Sequence, residues 1–141
     1  LTVQRLQTRP QFQAVLAGKI RARTAHFALH SCAIEMPNAP TEITAAPAVF
    51  PFSGLWMGAM VPKRWAKRAV TRNAIKRQIY SVSPQFQHSL PAHAHLVRLR
   101  TAFDRTQFVS ASSLALKAAV RAELLDLFSQ ASVAHSKQAL P

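Results

Sequence analysis

The chain is 141 residues long, 49% hydrophobic, and sets eighteen Lys and Arg residues against five acidic ones, for a formal net charge of +13. That length and hydrophobicity suit one domain with a real core and exclude a disordered basic tail. The basic excess favours a polyanionic partner, nucleic acid or an anionic membrane surface, without separating the two.

In chain order, residues 1–8 read as an extended arm carrying Val3 and Leu6. No apolar run follows the start, so no signal peptide is expected, and Leu1 in place of a methionine suggests a trimmed or incomplete start. Thr8-Arg9-Pro10-Gln11 predicts a helix start: Thr8 caps, Gln11 occupies the reciprocal position, and Pro10 is tolerated in the first turn. Phe12, Val15 and Leu16 give that short helix one apolar face, and Gly18 stops it. Residues 19–23 read as a basic connector. Residues 25–34 predict a strand, with Phe27, Leu29, Ser31 and Ala33 on one face and His26, Ala28, His30 and Cys32 on the other. Cys32 is the single cysteine, which allows no internal disulfide and fits a reducing cytoplasm; it reads as a small buried residue.

Residues 35–53, with four prolines among Ala and Thr, predict a long surface loop. The uncharged stretch from Ile43 to Pro62 has the length of a membrane span, but Pro47, Pro51, Gly54 and Gly58 break it, and a loop running into a strand is expected instead. Residues 55–61 form the apolar run of a central strand, with Gly58 marking a close backbone approach.

The segment 63–77 concentrates seven of the eighteen cations and holds no acid: Lys63, Arg64, Lys67, Arg68, Arg72, Lys76 and Arg77. It predicts a helix over about 65–80, basic nearly all round in its first half and anchored by Ile75 and Ile79 in its second. Asn73 is a poor helix former in the middle of it. Pro84 ends the helix, residues 83–93 form a loop, and residues 95–100 make another strand, joined to the strand at 55–61 by a helix as in a parallel βαβ unit. A loop over 101–111 leads to a last helix over about 112–129, with Ser112 or Ser113 as cap and Leu116, Val120, Leu124 and Leu127 as its stripe.

These elements predict an α+β fold: a small sandwich in the order α-β-β-α-β-α, one mostly antiparallel sheet with helices on one face. The domain spans 1–130 and the tail 131–141 frays.

No two of the five acids make a general acid/base pair, no Gly-rich phosphate loop exists, and His93 and His95 read as surface residues rather than metal ligands. No catalytic and no metal-binding residue is expected. The remaining signal is electrostatic, a cluster able to neutralise several phosphates. Phe12 and Phe27, beside the basic connector, offer aromatic surface suited to unstacked single-stranded RNA, although each also suits a core.

The basic pair after a strand, Gly58-Ala59-Met60-Val61-Pro62-Lys63-Arg64, followed by Lys67-Arg68-Ala69-x-x-Arg72-Asn73-x-Ile75-Lys76-Arg77, resembles the protein subunit of bacterial ribonuclease P. Arg5-Leu6, Phe12, Phe27 and the Leu90-Pro91-Ala92 stretch before Leu96-Val97 extend the resemblance over roughly residues 3–129. Ala74 stands where the family has Arg, Tyr80-Ser81 where it has Arg and Glu, and loop 35–53 is longer than the family pattern. The resemblance implies a left-handed βαβ crossover and a protein that promotes tRNA 5′-end maturation while its RNA subunit cleaves with magnesium held mainly by that RNA. By position it implies that Arg68, Arg72, Asn73, Lys76 and Arg77 contact the catalytic RNA, with Lys63, Arg64 and Lys67 near it. Phe12 and Phe27 would line a cleft for the 5′ leader of precursor tRNA. It implies a cytoplasmic protein with no membrane and no stable protein partner. A ribosomal or other structural RNA-binding protein is the main alternative, and a cationic membrane-surface protein the second.

Overall fold

The structure is a computed structural model that describes residues 3–34, 54–91, 93–103 and 114–139. The expected loop 35–53 and the caps Ser112 and Ser113 lie outside those residues. The elements are β1 (Gln4–Arg5), α1 (Arg9–Leu16), β2 (Lys19–Arg23), β3 (Phe27–Cys32), β4 (Trp56–Met60), α2 (Ala69–Val82), a 3-10 turn (Ser83–Phe86), β5 (Ala94–Leu99) and α3 (Leu114–Ala139).

The α1 start follows its local chemistry. Thr8 is the N-cap, its Oγ1 accepts from the Gln11 N–H at 3.4 Å, and Gln11 Oε1 accepts from the backbone N–H groups of Gln7 at 2.7 Å and Thr8 at 3.2 Å. Gly18 ends the helix for a packing reason: a Cβ there would stand 2.2 Å from the Ser31 carbonyl oxygen. Gly58 makes the expected close approach, since a Cβ there would meet Leu6 Cδ1 at 2.5 Å.

The five strands form one sheet in the order β1-β4-β5-β3-β2. β1–β4 and β4–β5 are parallel, while β5–β3 and β3–β2 are antiparallel. The sheet is therefore mixed rather than mostly antiparallel, because the β1–β4 pair adds a second parallel ladder to that of β4–β5, and two short segments form its edge strands. The arm contributes β1, which bonds through Gln4 N–H to Leu55 O at 2.8 Å and Leu6 N–H to Met57 O at 3.0 Å. The expected connector 19–23 is β2. Its alternation is interrupted by a bulge between Ile20 and Ala22, so only Ala22 reaches the core while Lys19 and Arg23 stay outside. Cations along an outer edge discourage edge-to-edge pairing.

Helices cover both faces, not one. On one side α2 and α3 bury Phe27, Leu29, Met57, Val97 and Leu99 against Ile75, Ile79, Leu124, Leu127 and Phe128. On the other, α1 packs Val15 with Leu6, Trp56, Ala94 and Leu96. The α3 stripe of Leu116, Val120, Leu124 and Leu127 is buried as its spacing predicts, and the helix continues to Ala139, into the segment expected to fray.

The β4–α2–β5 unit has a definite hand. Trp56 sends its side chain toward α1 and its N–H toward the His93 carbonyl at the head of β5. For an L-residue, that places β5 to the right of β4 when both strands run upward and are viewed from the α1 side. Since α2 lies on the far face, the crossover is left-handed, against the usual rule.

Candidate RNA interface

The basic segment divides into a turn and a helix. The Pro62 carbonyl accepts from the N–H groups of Trp65 and Ala66, each at 3.1 Å, and Ala66 is buried beneath the turn. Around it Lys63, Arg64, Lys67 and Arg68 are all exposed. α2 starts at Ala69, later than the expected residue 65. Arg68 is the extended N-cap, its side chain cannot accept from the free N–H groups, and the first turn carries no acid, so the start of α2 adds partial positive charge to the cationic turn.

Arg72, one turn into α2, faces back. Its Nη1 donates to the carbonyls of Ala66 at 3.0 Å and Lys67 at 2.8 Å, while its backbone N–H donates to the Arg68 carbonyl at 3.1 Å.

Further along α2, Ile75, Ile79 and Val82 enter the core, and Asn73 and Arg77 face solvent. Asn73, Lys76, Arg77, Tyr80 and Ser81 line a hollow together with Arg5 from β1. The Arg5 guanidinium lies 4.1 Å from the Tyr80 ring centre. Burial pushes the Tyr80 phenol up, against the downward pull of a hydrogen bond to the Ala59 backbone and of the Arg5 charge. The hollow is lined by three cations and no carboxylate, which suits phosphate. The pattern of α2 does not reveal that Arg5 joins it; the pairing of β1 with β4 brings it there.

The two aromatic residues expected to share a leader cleft are on opposite faces of the sheet. Phe12 is half-buried beside the α1 cluster. Phe27 is fully buried on the α3 side, tilted against Phe103 at 5.9 Å between ring centres. Strand alternation places Phe27 with Leu29, and α3 covers that face, so Phe27 is a core residue.

Other residues stand on the α1 face. In register across four strands come Met60, Arg98, Ala28 and Arg23, and the adjacent row holds Gly58, Leu96, His30 and Ile20. Arg98 Nε donates to His30 Nε2 at 3.1 Å, which leaves the proton on Nδ1, and that buried atom has no hydrogen-bond partner. Burial lowers the His30 pKa below its ordinary value, and the charges of Arg98 and Arg23 lower it further. Ile20 is 42% exposed beside them. The result is a partly apolar patch of the sheet face flanked by guanidinium groups. The alternation of the strand at 25–34 already placed His30 on this face, but reading 19–23 as a connector hid Arg23 and Ile20.

The other polar groups are engaged in the fold. His95 is buried rather than on the surface: Ser31 Oγ lies 2.6 Å from its Nδ1 and the Pro91 carbonyl 3.0 Å from its Nε2. Glu123 on α3 holds the β2–β3 turn, accepting from Thr24 Oγ1 at 2.6 Å, from the His26 N–H at 2.7 Å and from His26 Nδ1 at 2.8 Å. Cys32 is half-buried, and burial pushes its thiol up, away from the reactive thiolate. Among the described residues no three His, Cys, Asp or Glu side chains gather as a metal site would require. There too, no helix is long and apolar enough to cross a membrane.

Comparison with known proteins gives one consistent result. The family model described as Ribonuclease P matches residues 2–123. A ribonuclease P protein component of Bordetella parapertussis is 35% identical over 120 residues, covering 85% of each chain. One from Burkholderia mallei is 30% identical over 127 residues, covering 90% of this chain and 81% of its own. Among solved structures, the Staphylococcus aureus RNase P protein superposes with a TM-score of 0.62 at 16% identity, over 91% of this chain and 94% of that one, a likeness of fold.

Proposed function

This chain belongs to the ribonuclease P protein family, and we propose how it serves as the protein subunit of that tRNA-processing endoribonuclease. The observation that carries the reading is the acid-free cationic surface formed by the 63–68 turn, α2 and Arg5. Lys63, Arg64, Lys67 and Arg68 on the turn, with Asn73, Lys76 and Arg77 on the helix, contact the phosphates of the catalytic RNA. The α1 face carrying Phe12, Ile20, His30 and Arg98 holds the 5′ leader of precursor tRNA: Phe12 and Ile20 give it apolar surface, and the guanidinium groups of Arg98 and Arg23 attract its backbone.

The RNA subunit performs the cleavage. Magnesium binding needs clustered oxygen ligands. The described acids do not supply them: Glu123 is taken up by Thr24 and His26, and Asp126 accepts from Gln130. In this reading magnesium is held mainly by the RNA, and the protein contributes binding and orientation. The cytoplasm is where such a complex meets its substrate.

The deciding experiment adds the protein to a bacterial catalytic RNA and precursor tRNA at low magnesium. Stimulated 5′ cleavage is expected. RNA binding without stimulation would instead mark a structural RNA-binding protein.

A further inference from the structure

Residue 72 collects three consecutive backbone carbonyls. Its side-chain Nη1 takes those of Ala66 and Lys67, and its N–H takes that of Arg68. These carbonyls belong to the turn that displays Lys63, Arg64, Lys67 and Arg68. Four exposed like charges in six residues repel one another and favour an opened loop. Hydrogen bonds from a charged guanidinium to carbonyls are stronger than neutral ones and oppose that opening. Ala66, buried under the turn, and Trp65, half-buried and packed on the core beneath the Arg64 guanidinium, supply its only apolar anchorage among the described residues.

We infer that Arg72 is a positioning residue: through Nη1 it holds the 63–68 turn in the shape that presents its four cations to RNA. This rests on the reading that the turn meets RNA. A phosphate contact through Nη1 would require that nitrogen to leave both carbonyls and release the turn, so the positioning role belongs to Nη1, apart from anything Nε and Nη2 meet. Asn73 and Arg77, by contrast, are exposed on α2 and free to face outward.

The test compares R72A, K67A/R68A and the combined variant. The affinity of each for the catalytic RNA is measured at one salt concentration, and R72M, which keeps the aliphatic stem, stands in if R72A does not fold. A residue acting through the turn gives losses that overlap: two single losses of about tenfold combine to well under about a hundredfold. The second readout is acrylamide quenching of tryptophan emission in the free protein. It reports Trp65, because Trp56 is buried, and it should rise in R72A as the turn loosens. A purely electrostatic role would leave it unmoved. Losses that multiply fully overturn the inference whatever the quenching shows. K67A/R68A binding as tightly as the unaltered protein would overturn both the inference and the RNA reading of the turn, whereas a failed cleavage assay alone would leave the overlap of losses intact.

Discussion

His30 favours the neutral state, being desolvated first and then faced by Arg98 and Arg23. Its pKa is therefore lower in the folded chain than the ordinary value of about 6.5 in the unfolded one. Below that pH the unfolded chain takes up a proton that the folded chain refuses. The stabilising contribution is complete above about 6.5 and is lost as pH falls from there through the lower folded value. Thermal melts at pH 7.5 and pH 5.5 should show a larger drop for the unaltered protein than for His30→Asn. Equal drops would remove His30 as the source. Phe27 makes a second case. Truncation to Ala should cost about 3–5 kcal/mol in urea unfolding, as for a fully packed aromatic ring, whereas a leader-contacting Phe on the surface would cost far less. Alternation in the strand gave both residues their faces. It carried no information on which face α3 would cover, and that alone separates a core Phe from a binding Phe.

At the scale of elements, the helices were legible where local chemistry sets them. The Thr8–Gln11 box and the α3 stripe need only neighbours in the chain. β1 and β2 were not, because a two-residue strand and a five-residue strand with three cations have no apolar period to detect; their pairing partners make them strands. The β2–β3 turn depends on such a distant partner, since Glu123 of α3 satisfies three of its donors. Glu123→Ala would leave the His26 N–H without its acceptor and should destabilise the fold by about 1–3 kcal/mol. Amide exchange should quicken at His26, and unchanged protection there would contradict the clamp. Within α2 the two roles separate cleanly. Ile79→Ala should cost about 2–5 kcal/mol of stability and leave the salt dependence of RNA affinity alone. Lys76→Ala with Arg77→Ala should do the reverse, lowering the slope of log affinity against log salt by about 1.5. Titrations over a salt series with each variant would decide the assignment.

For the molecule as a whole, composition alone indicated a polyanionic partner, and the cationic run with its helix residues indicated the family. Two features of the assembled chain were beyond that reading. The crossover hand depends on which face α2 occupies. The Arg5 contribution to the α2 hollow depends on a parallel pairing between β1 and β4, some fifty residues apart.

The strand order has one further consequence. β5 lies in the centre of the sheet, between β4 and β3, yet is the last strand in the chain. Until it emerges during synthesis, β1 with β4 and β2 with β3 remain two separate ribbons with exposed inner edges, and isolated two-stranded ribbons are only marginally stable. Assembly therefore waits on residues 94–99, and then proceeds by insertion of a strand between two waiting halves. Such long-range closure makes for slow folding. A nascent chain halted after α2 would hold the whole RNA-binding segment without the sheet that gives it shape, so the RNA-binding form should arise late in synthesis.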